Sequence, residues 1–468
     1  MFFKKKTKII ATVGPSSERE DILEKMILAG VDCIRLNFSH NDHKSHGKII
    51  KSIRKIEKKL VKHIAIIADI QGPKIRVGIL PKEGLVLNDG QKILLDSSTK
   101  YFVNNTIPIP SKTFMDSTSE GNVVFFDDGT IKIKITNKNK SIFSAVVIKG
   151  GVLFSNKGIN VPSLYIKGSV LSQKDKSDII FAVKSGVDYV AISFLRDAND
   201  VKEARKFLKN TEVKIIAKIE RPEALLNIDQ IIDEADAIMI ARGDLGIETP
   251  LWELPVRQKE IVERVRNKMK PVIVATQMLD SMIRNPIPTR AEVSDVANAV
   301  YDSADAVMLS GETASGKNPL EAVEMMRKVL ESTEIIQNYT ENSNNYGSSR
   351  FLSISKSAAD IASEVNAKAI FVKTISGESA RTISFFRPKN NIVAITTNPK
   401  IACQLSLVRG VIPFVTKKKS AKNIKDLILS IDLVKNFLKN GDVIVCVYDV
   451  NFNFSKETNI NTITIESI

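Results

Sequence analysis

Cysteine, histidine and tryptophan are scarce: the 468 residues include three Cys, four His and one Trp. Cys33, Cys403 and Cys446 are odd in number, far apart and set in apolar runs, so they read as reduced core residues and not as a disulfide frame or a zinc site. Also missing is any apolar run long enough to cross a bilayer, and the opening MFFKKKTKII has charge without the apolar stretch of a signal peptide. A cytoplasmic protein with no membrane partner is expected. No tract interleaves basic residues with aromatics. The formal net charge is +15, but the lysines are dispersed and point to a solvated surface, so nucleic acid is not an expected partner. What is present, 43% hydrophobic and 26% charged residues over a length that suits two or three domains, is the composition of a globular protein.

One pattern recurs along the chain. The runs TKIIATVG, DCIRLNFS, IAIIADIQ, DYVAISF, KIIAKIE, AIMIARGD, PVIVATQ and AVMLSGE each read as a buried strand with a polar end. Amphipathic stretches such as DILEKMILAG, KDKSDIIFAVKSG and NPLEAVEMMRKVL lie between them. Strand and helix alternating through about eight units predicts an α/β fold of the (β/α)8 TIM-barrel type, with its chemistry at the carboxyl ends of the strands. The alternation breaks once, where KEGLVLNDGQKILLD, VVFFDDGTIKIKIT and SIFSAVVIKGGVLFSNKG alternate apolar and polar residues around NDG and DDG turns. This predicts a small β-barrel lid over residues 74–162, inserted between barrel parts 1–73 and 163–345. The Asn-rich QNYTENSNNYGSS reads as a linker. Residues 346–468, with AIFVKT, NIVAITT and DVIVCVY, read as a C-terminal α/β domain for regulation or assembly, lacking charged strand ends like the barrel's.

At the barrel's strand ends stand Arg35, Asn37, Ser39, Asp69, Lys218, Glu220, Asp244, Thr276 and Ser310. In IIAKIERPEA, Lys218 and Glu220 are two apart on one strand and so share a face. A neutralising pair and a piece of chemistry both answer to that placement. Glu220 and Asp244 fall on successive strands and can reach one point, as two hard oxygen ligands for Mg2+ or Mn2+, unless Arg221 and Arg242 neutralise them. Arg35, Lys74, Arg76 and Lys218 crowd the same place. Two unit charges about 4 Å apart interact by roughly 4 kcal/mol at an effective dielectric near 20, so the crowding calls for an anion, and a phosphoryl group in transfer fits. Two motifs are set aside. GETASGKN has the phosphate-loop spacing but Asn318 where Ser or Thr should stand, and reads as a strand-to-helix turn. SHNDHKSHG, with His40, Asp42, His43 and His46, has metal-site residue types but reads as a solvated helix start.

Taken together, TKIIATVGPSS, IRLNFSH, ADIQGPKIRVG, IIAKIERPEAL, IMIARGDLGIE, ATQMLDSMI, PTRAEVSDVANAV and MLSGETASGKNPLEAV resemble the pyruvate kinase family over nearly the whole chain, in that family's order and spacing. The resemblance implies transfer of the phosphoryl group of phosphoenolpyruvate to ADP, giving pyruvate and ATP, usually by a homotetramer. It implies Glu220 and Asp244 as ligands of Mg2+ or Mn2+, and Lys218 as the cation over the transferring phosphoryl and the developing enolate. Arg35 and Arg76 match arginines that grip phosphate; Asn37, His40 and Lys157 fall at nucleotide positions; Gly243, Asp244 and Thr276 join Arg35 around the substrate. Thr276 and Ser310 match residues near the enolate carbon, where a water relay delivers the final proton.

Many members read GPE where this chain reads GPK, and those members need K+, held at positions matching Asn37, Ser39, Asp69 and the backbone of Ile70. Lys74 stands here in place of that glutamate, so activity independent of K+ is expected. TISGES, with Thr374, Ser376, Gly377 and Ser379, resembles the loop that binds an effector phosphate in regulated members, although Glu378 brings negative charge into it. A phosphorylated-sugar or nucleotide effector and a domain kept for assembly alone both stay open. Apart from the resemblance, a metal-dependent lyase or aldolase acting through an enolate would share the carboxylates but need no nucleotide positions, and the net charge alone suggests RNA binding.

Overall fold

The computed structural model describes residues 5–127, 129–162, 168–336, 349–417, 424–429, 431, 434, 437–449 and 461–468. Eight strands close into a parallel barrel: β1 (Lys8–Val13), β2 (Cys33–Asn37), β3 (Ala65–Ile70), β4 (Tyr189–Ile192), β5 (Lys214–Ile219), β6 (Ala237–Ala241), β7 (Val272–Ala275) and β8 (Ala306–Leu309). Each pairs with its neighbours in chain order, and β8 returns to β1. These are the eight runs read from the sequence. They are continuous apolar runs because helices cover the outside of the barrel and side chains fill the inside.

Alternation along each strand sorts the side chains. Ile9, Ile34, Ile66, Ile215 and Ile238 belong to the core shared with the helices, while Ile10, Cys33, Ile67, Ile216 and Met239 fill the interior. Followed toward the carboxyl ends, the inward face runs from Cys33 to Arg35 and Asn37, from Ile67 to Asp69, from Ala191 to Ser193, and from Ile216 to Lys218 and Glu220. The period of two thus delivers the charges to one mouth. The opposite mouth is closed by the C-terminal domain: Leu407 joins the interior cluster, Tyr189 Oη donates to the Gln404 carbonyl at 2.9 Å, Lys8 Nζ donates to the Val411 carbonyl at 2.7 Å, and Arg387 pairs with Asp305 at 2.8 Å.

Between β3 and β4 the chain builds a mixed seven-stranded sheet, in the order Ile75–Arg76, Gly158–Asn160, Val123–Phe126, Ile131–Asn139, Ile142–Lys149, Lys92–Asp96, Thr106–Pro108, and a separate pair, Leu85–Leu87 with Gly151–Leu153. It has its own core, in which Phe114, Phe126 and Phe143 are fully buried. The first and last strands of the insertion, Ile75–Arg76 and Gly158–Asn160, pair antiparallel, so the chain leaves and re-enters the barrel side by side.

The C-terminal sheet runs β11 (Val411–Val415), β10 (Asn391–Thr396), β9 (Ala369–Lys373), β12 (Val443–Tyr448) and β13 (Thr462–Ser467), parallel except for the last pair. The two edge strands are additions to the three expected runs: β11 carries Pro413, which an edge tolerates, and β13 is half-exposed and weakly apolar. Where no charged strand-end constellation like the barrel's is expected, the described residues hold a charged pair. Lys373 closes β9 and meets Asp449, just past β12, at 2.6 Å with both side chains buried. The expected linker lies outside the described residues except for Ser349, whose side chain caps the helix Arg350–Glu364.

Candidate active site

Asp69 is the hub of the open mouth. Its Oδ2 accepts from Arg35 Nε at 2.6 Å, and its Oδ1 lies 3.2 Å from Lys218 Nζ, which is also 2.8 Å from Glu220 Oε1. Burial would raise the Asp69 pKa, but Lys218 and Arg35 hold it below the usual carboxylate value. Burial would likewise lower that of Lys218, and Asp69 with Glu220 outweighs it and raises the ammonium pKa. Glu220 goes the other way from Asp69: burial raises its pKa against the pull of Lys218, and the Asp244 carboxylate adds to burial. Glu220 Oε1 has the ion contact with Lys218 but no hydrogen bond of ordinary geometry. Glu220 and Asp244 line one cleft and repel each other, and two carboxylates so placed are of the hard oxygen type that a divalent ion takes.

Arg221 and Arg242, the alternative neutralisers, turn elsewhere. Arg221 pairs with Glu223, and Arg242 grips Asp295 with two nitrogens at 2.7 Å each. Asp244, in the first turn of the helix Arg242–Glu248, instead meets Lys74 Nζ at 3.3 Å.

A cleft of about 300 Å³ above this network is lined by Arg35, Asn37, Ser39, His40, Asp69, Lys74, Arg76, Lys157, Lys218, Glu220 and Asp244. Arg76 and Lys157 come from the inserted segment, where they meet the Asn156 carbonyl (3.0 Å) and Asp127 (2.9 Å). Burial, followed by Arg76, Arg35 and Lys74, pushes the His40 pKa down and favours a neutral ring. Lys74 shares the cleft with Asn37, Ser39 and Asp69, yet its ammonium points to Asp244. The Ile70 carbonyl accepts from Ser193 Oγ at 2.7 Å.

Gly243, Thr276 and Ser310 are not part of the cleft's lining. Thr276 and Gln277 both have positive φ (72° and 55°), a turn that brings Thr276 Oγ1 to within 2.7 Å of the Gly243 N–H, which donates to it. Ser310 Oγ is buried without a hydrogen-bond partner. GETASGKN forms the short helix Gly311–Ala314 and leads into the helix Pro319–Ile336. In the C-terminal loop, the Gly377 N–H donates to Thr374 Oγ1 at 2.9 Å and that of Glu378 to Ser376 Oγ at 3.4 Å; Ser379 lies in the first turn of the helix Glu378–Phe385.

Two site residues escaped the sequence reading. Ser193 Oγ accepts from Lys218 Nζ at 2.8 Å, and the Phe194 N–H donates to Glu220 Oε2 at 2.7 Å. Ser193 carried a usable signal, since it ends the inward face of β4 as Asp69 ends that of β3. One expectation is corrected: the start of the helix His43–Leu60 is only partly solvated. His46 is buried, stacked on Phe38 with centroids 4.2 Å apart, and His43 stacks on Phe181 and meets Asp178 at 2.7 Å.

Residues 4–323 match the family model of the pyruvate kinase barrel domain, and residues 352–464 match that of the pyruvate kinase alpha/beta domain. The chain belongs to the pyruvate kinase family. It is 38% identical to a pyruvate kinase of Sporosarcina psychrophila over 98% of this chain and 80% of that one. It is 39% identical to that of Clostridium acetobutylicum over 97% and 98% of the two chains. The crystal structure of a pyruvate kinase from Cryptosporidium parvum superposes with a TM-score of 0.90 at 33% identity, covering 99% of this chain and 96% of that one. As a member of the pyruvate kinase family the chain is a phosphotransferase, on a barrel with a C-terminal α/β domain.

Proposed function

We propose that the cleft at the barrel mouth is where phosphoenolpyruvate gives its phosphoryl group to ADP, with the roles divided among residues as follows. Lys218, fixed between Asp69 and Glu220, presents its ammonium to the transferring phosphoryl and to the enolate left behind. Arg35 and Arg76 hold phosphate oxygens. Asn37, His40 and Lys157 hold the nucleotide, and the neutral His40 ring can do so without adding to the cation crowd. Glu220 and Asp244 would hold a divalent ion, Mg2+ or Mn2+, which supplies charge neutralisation for the phosphoryl oxygens when bound. Thr276 and Ser310 sit on the side from which the enolate carbon is protonated, with Gly243 and Thr276 shaping the substrate pocket.

The observation that supports this reading best is the convergence of Arg35, Lys74 and Lys218 on Asp69, Glu220 and Asp244 in one cleft, with burial and Asp244 raising the Glu220 pKa against Lys218. Lys74 then supplies a fixed monovalent charge, and activity needs no K+. The C-terminal loop Thr374–Ser379 is proposed as an effector-phosphate site and the assembly as a homotetramer.

The deciding assay is pyruvate formation from phosphoenolpyruvate and ADP with Mg2+ in buffer free of K+, then with K+ added. Full activity in the first buffer supports both the site and the role of Lys74. Activity only in the second retires the lysine argument, and none in either retires the site assignment. Lys74→Glu should make the enzyme K+-dependent; a variant equally active without K+ would sink the idea.

A further inference from the structure

Away from the barrel mouth, three metal-ligating side chains of different types meet at the junction of barrel and C-terminal domain. Glu57 lies in the last turn of the helix His43–Leu60, and Val61, left-handed at φ 49°, turns the chain so that His63 returns beside it. The helix Pro399–Leu405 brings Cys403 to the same point. A carboxylate oxygen, an imidazole nitrogen and the sulfur lie within 4.8 Å of one another, and Cys403 Sγ is 3.4 Å from Glu57 Oε1. Zinc bonds of about 2.0–2.3 Å set tetrahedral edges of about 3.3–3.8 Å. The sulfur–oxygen edge already has that length, and the other two need to close by at most about 1.5 Å. The cysteines gave no zinc signal along the sequence because Cys403 stands 346 residues from Glu57.

The surroundings suit an ion. Among the described residues His63 hydrogen-bonds only through its carbonyl, which accepts from Ser406 Oγ at 2.7 Å, so its ring nitrogens are uncommitted. Asp188 pairs with Arg54 at 2.7 Å and with Lys400 at 3.0 Å. Arg54 also reaches Glu57 Oε2 at 2.8 Å and Cys403 Sγ at 3.5 Å; burial, Asp188 and Glu57 hold the Cys403 thiol pKa well above its ordinary value against Arg54, so the metal itself must displace the thiol proton. The cleft of about 430 Å³ beside the three side chains is lined by Arg54, Lys58, Lys62 and Lys400 as well as by Glu57 and Asp188, so the charge of an ion there must be answered by the ligands it takes, Glu57 and a Cys403 thiolate. Thiolate and imidazole favour Zn2+ over Mg2+, so the Mg2+ taken by the barrel carboxylates would not occupy this site.

We propose that Glu57, His63 and Cys403 form a Zn2+ site with its fourth position open to the cleft, tying the amino end of β3 to the C-terminal domain. β3 carries Asp69 at its other end, so the ion would anchor the strand that holds the hub of the mouth.

Co2+ is the first probe, added to the full-length metal-free protein with Mg2+ in excess to hold the barrel carboxylates. A thiolate-to-Co2+ charge-transfer band saturating at one ion per chain, and displaced by Zn2+, is the expected result. Cys403→Ser should abolish the band. His63→Ala, which gives up no side-chain hydrogen bond, should stay folded and bind Zn2+ at least ~10-fold more weakly, since even groups outside the ligand set cost that much. Zn2+ should raise Tm in the parent and, at the same concentration, by clearly less in either variant. Absence of a band at one equivalent of Co2+, or a band that survives Cys403→Ser, overturns the assignment.

Discussion

The barrel and the C-terminal domain are built alike, from parallel strands with helices packed on them, and each ends a strand on a buried lysine paired with a carboxylate. Lys373 and Asp449 meet at 2.6 Å, outside the linings of both clefts, with side chains 1% and 7% exposed. Lys218 is also buried, with its side chain 11% exposed, but its partners Asp69 and Glu220 belong to a network that continues to Arg35 and opens onto a cleft shared with Asp244. Charge at a strand end therefore does not mark a site. What marks it is charge left unbalanced after the local pairs are counted, with open space beside it.

The largest effect should come from Lys218→Met. Losing a preorganised cation at the point of charge development costs about 10²–10³ in kcat, read by pyruvate formation. It also strands Asp69 and Glu220, so the metal-free variant should melt well below the parent and recover part of the loss in Mg2+. A Tm unmoved by Mg2+ would mean that the carboxylates do not share an ion. Next, Asp449→Asn removes the carboxylate that meets the buried Lys373 ammonium at 2.6 Å, a loss of up to about 3–5 kcal/mol visible in denaturant melts. kcat of the folded enzyme without effector should not change. The double variant Lys373→Met/Asp449→Leu should return most of that stability, because an apolar pair avoids the desolvation penalty of two ions. If Asp449→Asn instead lowered kcat as Lys218→Met does, the distinction between settled and unsettled strand ends would fail. Glu220→Gln comes third: it keeps the acceptor for the Phe194 N–H but halves the carboxylate set, so the Mg2+ concentration for half-maximal rate should rise at least ~10-fold.

The same distinction explains what could be read from the sequence. All eight barrel strands were legible, since a strand buried on both faces is a continuous apolar run and its polar terminus stands out. Lys218, Glu220, Asp69 and Arg35 followed from the period of two. Phe194 was not legible, because it acts through a backbone N–H at φ 58° that no side-chain pattern reports. Nor was the Lys373–Asp449 pair, whose members are 76 residues apart and whose carboxylate lies just past its strand. His43 and His46 were correctly placed on a helix start, but helical spacing cannot say that Phe38 and Phe181 will cover the rings. Lys74 was placed at the right cleft, and only its tether could show which carboxylate it reaches.

His46 supplies the smallest and sharpest test, because it lies beside the open mouth and yet is settled inward. Its Nε2 lies 2.9 Å from the His40 carbonyl, which requires the proton on that nitrogen, and Nδ1 is buried with no partner. Burial pushes its pKa below the ordinary imidazole value of 6.5, against the raising effect of the His40 carbonyl and of Asp178, with His43 and Lys174 lowering it further. The folded ring therefore stays neutral where the unfolded chain already takes up a proton. Stability is fully present above the unfolded value and falls as pH drops through about 6.5, because the unfolded state then binds the extra proton. His46→Gln keeps a donor for the His40 carbonyl and cannot titrate. Its stability should fall less than the parent's between pH 7.5 and 5.5, by on the order of 1 kcal/mol, while its rate at pH 7.5 changes little. Equal slopes in parent and variant would mean that His46 finds a partner for its second proton, and that the floor of the mouth is less settled than its packing indicates.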